Sequence, residues 1–151
     1  MILLQTSKGT SIPNYQGTEI SQVHRNWNDE LPRKHPRAIF RTLPSPVYNC
    51  HGLVFAARRT RIEEPEGIST ILREDAYVEV ASVRDVKPGD VVVYYSDDND
   101  PNHSGIVVAN DEPHINPLIC SKWGTAGEVI HYVGEVPDHY GPTKRYFRCR
   151  L

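Results

Sequence analysis

The sequence has no hydrophobic run that approaches the roughly 18 to 20 residues needed to cross a membrane. The apolar start, residues 1–4, is followed at once by the polar residues 5–7 and is too short for the hydrophobic region of a signal peptide. Cysteine is also scarce, since the chain has only three: Cys50, Cys120 and Cys149. An odd number this small does not indicate a disulfide-stabilised fold. We therefore expect a cytoplasmic protein without a membrane span, whose delivery elsewhere would require a specialised secretion system.

Charge of either sign is not in excess, because 17 Lys and Arg stand against 19 Asp and Glu, for a net charge of −2. This balance argues against a nucleic-acid-binding protein. Hydrophobic residues make up 38% of the chain, and it contains 10 glycines and 12 prolines, as is typical of a loop-rich globular protein. At 151 residues we expect a single domain, and the composition does not specify an oligomeric state.

The N-terminal part of the chain predicts one helix followed by an irregular segment. Apolar residues recur at helical spacing between Thr18 and Leu31: Ile20, Val23, Trp27 and Leu31. Thr18 is the expected N-cap and Pro32 the expected stop. The proline-rich segment 31–46 should be extended or looped, with its basic residues in solvent. Residues 1–45 thus precede a core at 46–151.

From Tyr77 onward the pattern is typical of β-strands separated by turns. We predict strands at these ranges: 77–80, 91–95, 105–109, 118–121, 129–132 and 145–150. Because helices come first and strands second, the sequence predicts an α+β fold. Trp123, between two of these strands, is expected either in the core or shielding a site from solvent.

Cys50 stands where the proline-rich segment ends and an apolar segment begins. We read residues 50–59 as a buried helix whose basic end, Arg58 and Arg59, complements the helix dipole. A helix N-terminus lowers the pKa of a thiol and favours the nucleophilic thiolate. The alternative is a small buried core cysteine.

His103 stands at the start of a predicted strand. The turn Pro88-Gly89-Asp90 leads into the strand 91–95, and a polar loop over Ser96 to Asn102 follows. An imidazole at the rim of a sheet can reach a thiolate on a helix packed across that sheet. The acidic residues 97–100 within the loop are expected to form a mobile rim over such a site.

Together these two segments resemble the NlpC-type cysteine peptidases of the papain-like fold, to which the CHAP amidases are related. The family pattern reads Asp-Cys-Ser-Gly-Phe-Val, then Pro-Gly-Asp before an apolar strand, then His-Val-Gly-Ile. This chain has Asn49-Cys50-His51-Gly52-Leu53-Val54, then Pro88-Gly89-Asp90, then His103-Ser104-Gly105-Ile106. The resemblance covers about residues 46–132. Asn49 stands where the family has aspartate, and residues 38–40 lack the family's oxyanion tyrosine.

The resemblance implies a papain-like α+β domain with the Cys50 helix packed on an antiparallel sheet that carries His103. It implies that the Cys50 thiolate attacks an amide carbonyl and forms a thioester, while His103 acts as base and then acid. A third polar residue would orient the imidazole, and Ser121, His131 and Glu128 are the alternatives. No cofactor and no metal are implied. The expected substrate is a peptide or amide, with the peptidoglycan stem peptide as the first class to test.

Two rival functions stay open at this point. The same Cys-His pair would serve a toxin-like glutamine deamidase or transamidase, and a non-catalytic β-rich binding module would leave Cys50 an ordinary thiol. A zinc site lacks the tight ligand spacing of known motifs, although legal ligands exist: Cys50, His51, His103 and His131. The remaining histidines are expected to face solvent: His24, His35, His114 and His139.

Overall fold

A computed structural model describes residues 1–150 of the chain and contains an α+β fold built on one antiparallel sheet. Its helices are α1 (Gln22–Lys34), α2 (Cys50–Phe55) and α3 (Pro65–Glu74). Its strands are β1 (Ile39–Phe40), β2 (Tyr77–Val80), β3 (Val91–Tyr95), β4 (Pro101–Ala109), β5 (Leu118–Lys122), β6 (Glu128–Tyr132) and β7 (Thr143–Cys149). The seven strands lie in the order β1-β6-β5-β4-β3-β7-β2. The predicted α+β class is thereby confirmed.

The middle of the sheet is buried on both faces, which explains why every residue of β3 is apolar or aromatic and buried. Helix α2 packs against β4 and β5, and α3 packs against β2 and β4. One cluster on the sheet contains residues of β3 and β7 with parts of α2 and α3: Val91, Val93, Phe147, Phe55 and Leu72. A separate cluster joins α1 to the β5–β6 hairpin through Leu31, Trp123 and Val129. Trp123 is therefore a core residue.

Helix α1 begins later and ends later than predicted. Ser21, not Thr18, is the N-cap, and its hydroxyl accepts a hydrogen bond from the His24 amide at 3.2 Å. Pro32 lies inside the helix. In the last turn a proline removes only one backbone hydrogen bond, so the helix continues to Lys34. The basic residues that follow are exposed, as predicted, and Arg37 pairs with Glu135.

Helix α2 is shorter than predicted. It ends at Phe55, and Ala57 and Arg58 adopt positive φ angles of 48° and 66°. The chain turns there because the Arg58 amide donates back to the Gly52 carbonyl at 3.0 Å. The prediction that Arg58 and Arg59 complement the helix dipole is therefore wrong, since α2 has no basic residue in its last turn. Helix α3, which the sequence reading did not identify, starts with Pro65 at its first turn and buries Ile68 and Ile71.

The predicted strands are present with shifted ends. β4 begins at Pro101, so His103 is the third residue of its strand and not the first. The edge strand β1 was not predicted, and at two residues it is too short to show a periodicity. Within residues 1–150, no helix has both the length and the apolar character required to cross a bilayer.

Candidate active site

Cys50 is the first residue of α2 and is only 7% exposed. The preceding Asn49 side chain makes three hydrogen bonds, one that caps the helix and two that join it to Ile62. Its Oδ1 accepts from the amides of Gly52 at 2.9 Å and Ile62 at 3.2 Å, and its Nδ2 donates to the Ile62 carbonyl at 2.8 Å. An aspartate could accept both bonds but could not donate the third. Asparagine therefore fits this position better than the aspartate of the NlpC pattern.

Gly52 allows α2 to lie directly against the chain that follows it. A β-carbon at this position would lie 1.9 Å from the carbonyl oxygen of Thr60, a distance that no side chain tolerates. The close contact keeps the segment 60–63 beside the start of the helix, where Arg61 and Glu63 line the same cleft as Cys50. Glycine is thus required for the shape of the site.

His51 links α2 to β4 through two hydrogen bonds of its imidazole ring. Its Nδ1 lies 2.7 Å from the Ser104 hydroxyl, and its Nε2 lies 3.2 Å from the carbonyl of Pro101. Because a carbonyl only accepts, Nε2 carries the proton and Nδ1 accepts from Ser104. Burial lowers the pKa of His51 to about 4, so the ring is neutral at pH 7. These two bonds flank His103 in the strand and fix its position relative to Cys50.

His103 is 1% exposed and lies among aromatic rings. Its imidazole stacks on Tyr140 and contacts Tyr94, with ring centroids 3.9 Å and 5.2 Å away. Its Nε2 is buried without a hydrogen-bond partner among residues 1–150. Since His103 also lines the cleft beside Cys50, we assign Nδ1 as the nitrogen that faces the thiol.

The pKa of the Cys50 thiol is lowered although the residue is buried. Burial acts to raise this pKa, but the charge of His103 and a side-chain hydrogen bond from it outweigh burial, with further help from the backbone amides of Ser104 and His51. For His103, burial lowers the pKa, while the charge and hydrogen bond of Cys50 oppose that effect. The pair favours a thiolate at a lower pH than an isolated cysteine does.

The three alternatives for an orienting residue do not hydrogen-bond to His103. Ser121 and His131 pair with each other at 2.7 Å, and Trp123 donates its indole N–H to Ser121 at 3.1 Å. The other nitrogen of His131 lies 2.8 Å from the carbonyl of Tyr132. Both ring nitrogens of His131 are therefore occupied. Ser121 lies on β5, next to β4, and His131 lies one strand further on, on β6, as the sequence predicted, but the two side chains form their own buried network.

Glu128 lies in a different network, beneath α2. It accepts two hydrogen bonds from Arg58 at 2.7 Å and 3.0 Å, and one from the Tyr48 hydroxyl. The hydrogen bond from Arg58 lowers the pKa of Glu128 despite burial, so the carboxylate is ionised at pH 7. Glu128 thus holds the turn after α2 and the segment before it to the sheet.

A cleft of about 570 Å³ opens above Cys50 and His103. Helix α1 forms one wall with Val23, His24 and Trp27, and a second wall contains His139 and Tyr140. The expectation that His24 and His139 only face solvent is therefore incomplete, since both line the cleft. His35 is also not a plain surface residue, because it packs edge-on against Trp123 at 4.8 Å. The acidic residues 97–100 do not line the cleft.

The sequence did not predict two residues near the site, Tyr140 and Lys122. Tyr140 lies in a short 3-10 turn, Asp138–Tyr140, and no local pattern indicates its position over His103. Lys122 is fully buried on the face of the sheet toward Cys50. Its position among buried strand residues, directly before Trp123, was a signal that it is not an ordinary surface lysine. Among residues 1–150, no group of three or more His, Cys, Asp or Glu side chains has the arrangement of a metal site.

Comparison with known proteins gave no match for this chain, whether against models of protein families, against curated proteins or against solved structures.

Proposed function

We propose that the chain is a papain-like cysteine hydrolase that cleaves an amide bond with Cys50 as nucleophile and His103 as general base and acid. The observation that carries this proposal is the meeting of the two side chains at the floor of an open cleft. Cys50 begins a helix packed on an antiparallel sheet, His103 lies on the adjacent central strand, and the pKa of the thiol is lowered by that histidine. This arrangement has the features of an activated cysteine nucleophile.

The reaction follows from the positions of these groups. His103 Nδ1 takes the proton of Cys50, and the thiolate sulfur bonds to the substrate carbonyl carbon. The resulting oxyanion lies within reach of the backbone N–H of Cys50. Because Cys50 is the first residue of a helix, this N–H has no intrahelical acceptor. The C–N bond then breaks as His103 returns its proton to the leaving amine. Water, deprotonated by His103, cleaves the thioester and restores the thiol.

The pair is proposed to act as a dyad whose imidazole is held by packing. Nε2 of His103 has no partner among residues 1–150, while Tyr140 stacks on the ring at 3.9 Å. Ser121 and His131 would act indirectly, by joining β5, the strand next to His103, to β6. A peptide is the proposed substrate, and the resemblance to NlpC-type enzymes makes the peptidoglycan stem peptide the first class to assay.

The rate of Cys50 alkylation as a function of pH tests the proposal. The parent protein for this test has Cys120 and Cys149 replaced by serine, so that Cys50 is its only thiol. It is compared with the variants His103→Ala and His114→Ala. His114 is exposed and lies outside the cleft, so its variant is the control. We expect rapid alkylation well below pH 7 in the parent and in the His114 control, and its loss in His103→Ala. A single titration near the ordinary thiol value of about 8.5, indifferent to His103, would overturn the proposal in favour of a binding module.

A hydrolase and a glutamine deamidase differ in the products they release. Incubation of the parent with peptidoglycan stem peptides, and separately with a glutamine-containing protein, distinguishes them by mass spectrometry. Cleavage of the peptide supports hydrolysis of the backbone amide. A gain of about 1 Da on the intact protein, with no cleavage of any peptide, would move the deamidase to first place.

A further inference from the structure

Lys122 is a lysine with no exposed surface, at the end of β5. Burying a cation costs free energy unless it is paired or hydrogen-bonded, so a buried lysine requires a structural explanation. Its ammonium donates to the carbonyl oxygens of Ser45 at 2.8 Å and Gly124 at 2.7 Å. It also lies 4.7 Å from the ring centre of Tyr48, within the range of a cation–π interaction.

These contacts join the two chain segments that border Cys50. Ser45 and Tyr48 belong to the segment that leads into α2, and Tyr48 is two residues before the nucleophile. Gly124 belongs to the β5–β6 turn, which lines the cleft. The Ser45 amide also donates to the Thr125 carbonyl at 2.9 Å, so the same two segments are joined twice. Lys122 lies at the centre of this junction.

The ammonium also lies within electrostatic range of the nucleophile. The pKa of Lys122 is lowered to about 8, mainly by burial and also by the charge of Arg61, while the charges of Cys50 and Glu128 oppose this shift. The groups that face Lys122 are therefore a thiol on α2, a carboxylate on β6, an aromatic ring and a guanidinium. The Glu128 carboxylate already has Arg58 as its partner, bound through two hydrogen bonds.

We infer that Lys122 is a positioning residue for Cys50, whose ammonium holds the segment 45–48 against the β5–β6 turn and stabilises the thiolate. This inference rests on the proposed function, because it concerns the reactive state of the same thiol. Lys122 does not touch the substrate and transfers no proton in the reaction. Its effect is on the pKa of Cys50 and on the placement of the α2 N-terminus.

The test compares Lys122→Met with Lys122→Arg in the serine background at Cys120 and Cys149. Methionine keeps the length of the side chain and removes the charge, while arginine keeps the charge. We expect Lys122→Met to raise the pKa of Cys50, and so to shift the pH profile of alkylation about one unit to higher pH. Lys122→Arg should keep most of the parent's alkylation rate. Lys144→Met is the matched control, since Lys144 also lies over an aromatic ring, Tyr94, but on β7.

A folded Lys122→Met protein with the parent's alkylation profile would overturn the inference. If His103→Ala changes the profile and Lys122→Met does not, only the role of Lys122 falls. If neither variant changes it, the proposed function falls as well.

A second measurement covers the case in which Lys122→Met does not fold. The Lys122 pKa is measured by NMR of the lysine ammonium groups, of which the chain has five. Coupling between two charges is reciprocal, so Cys50→Ser should lower the pKa of Lys122 below its parent value of about 8. An unchanged Lys122 pKa in Cys50→Ser would contradict the inference.

Discussion

The imidazole of His103 lies face to face on the phenol ring of Tyr140, with centroids 3.9 Å apart and planes inclined by 13°. Both rings carry a buried polar atom without a protein partner among residues 1–150, Nε2 on the histidine and the hydroxyl on the tyrosine. The orientation of the imidazole therefore depends on the packing of an aromatic ring and on the fixed backbone of β4. No carboxylate or amide from a neighbouring strand orients the imidazole among residues 1–150.

Two substitutions at Tyr140 separate packing from hydrogen bonding. Tyr140→Phe keeps the stacked ring and removes a hydroxyl that has no partner, so we expect Cys50 alkylation within about twofold of the parent and no loss of stability. Tyr140→Leu removes the ring and should cost about 1–3 kcal/mol of unfolding free energy and slow alkylation at pH 6. Denaturant titration and the alkylation assay measure both effects. Equal losses in the two variants would show that the hydroxyl matters after all.

Replacing Gly52 by alanine should be severely destabilising. The added β-carbon would lie 1.9 Å from the Thr60 carbonyl, and neither backbone segment can move without displacing α2. We expect a loss of more than about 3 kcal/mol, or no folded protein. Gly134→Ala is the matched control, because a β-carbon there meets nothing within 4 Å. A thermal melt of Gly52→Ala at the parent's midpoint would refute the steric argument.

Asn49→Asp should weaken the site even though it introduces the residue of the NlpC pattern. The carboxylate keeps the two acceptor interactions, but it faces the Ile62 carbonyl that the amide now donates to at 2.8 Å. We expect a loss of about 1–3 kcal/mol from this unmade bond, and a higher Cys50 pKa because a negative charge lies next to the thiolate. Asn49→Ala serves for comparison, since it removes the cap without adding charge. A Cys50 pKa lowered by aspartate would contradict the prediction.

Stability should fall as the pH drops from about 6.5 towards 4, before most carboxylates titrate. His51 and His131 both have their pKa lowered to about 4 by burial, from the ordinary value of 6.5. Between these values the unfolded chain binds protons that the native chain does not, so acid favours unfolding. Each histidine should cost about 2 kcal/mol between pH 7 and pH 5.

Urea unfolding of the parent, His51→Gln and His131→Gln at pH 7 and pH 5 checks this dependence. Each variant is expected to be less stable than the parent at pH 7 and to lose less on acidification. His114→Gln, at an exposed position, should keep the parent's slope. A parent whose unfolding free energy is the same at both pH values would show that the two histidines are not buried as neutral rings.

All strands except β1 could be predicted from the sequence, because runs of β-forming residues and the turns between them are local features. The end of α2 could not, because apolar residues continue past Phe55 and the helix stops only where Ala57 and Arg58 turn the chain back toward Gly52. Pro32 was taken as a stop, although a proline in the last turn of a helix removes a single hydrogen bond.

The candidate site was likewise only partly predictable from the sequence. Cys50 and His103 carried local signals, a helix start and a strand start, and the fold brings them to one cleft. Tyr140 and Lys122 act through contacts with residues far away in the chain, and such contacts leave no periodicity to read. The sequence correctly predicted Ser121 on the strand next to β4 and His131 one strand further on, but the hydrogen bond between the two side chains depends on distances that spacing does not specify.

The order of strands in the sheet has a consequence for the newly made chain. β3 to β6 are consecutive hairpin neighbours, whereas β1 must wait for β6 and β2 must wait for β7, the last strand. Cys50 lies between these two edge strands in sequence, so the chain segments on both sides of its helix are joined to the sheet only by long-range pairing. We therefore expect a partly folded chain to carry an ordinary thiol, and the thiol to become reactive only once the sheet is complete. Pulsed alkylation during refolding would follow that delay directly: early labelling at the rate of a free cysteine is expected, and early labelling already at the rate of the folded protein would contradict it.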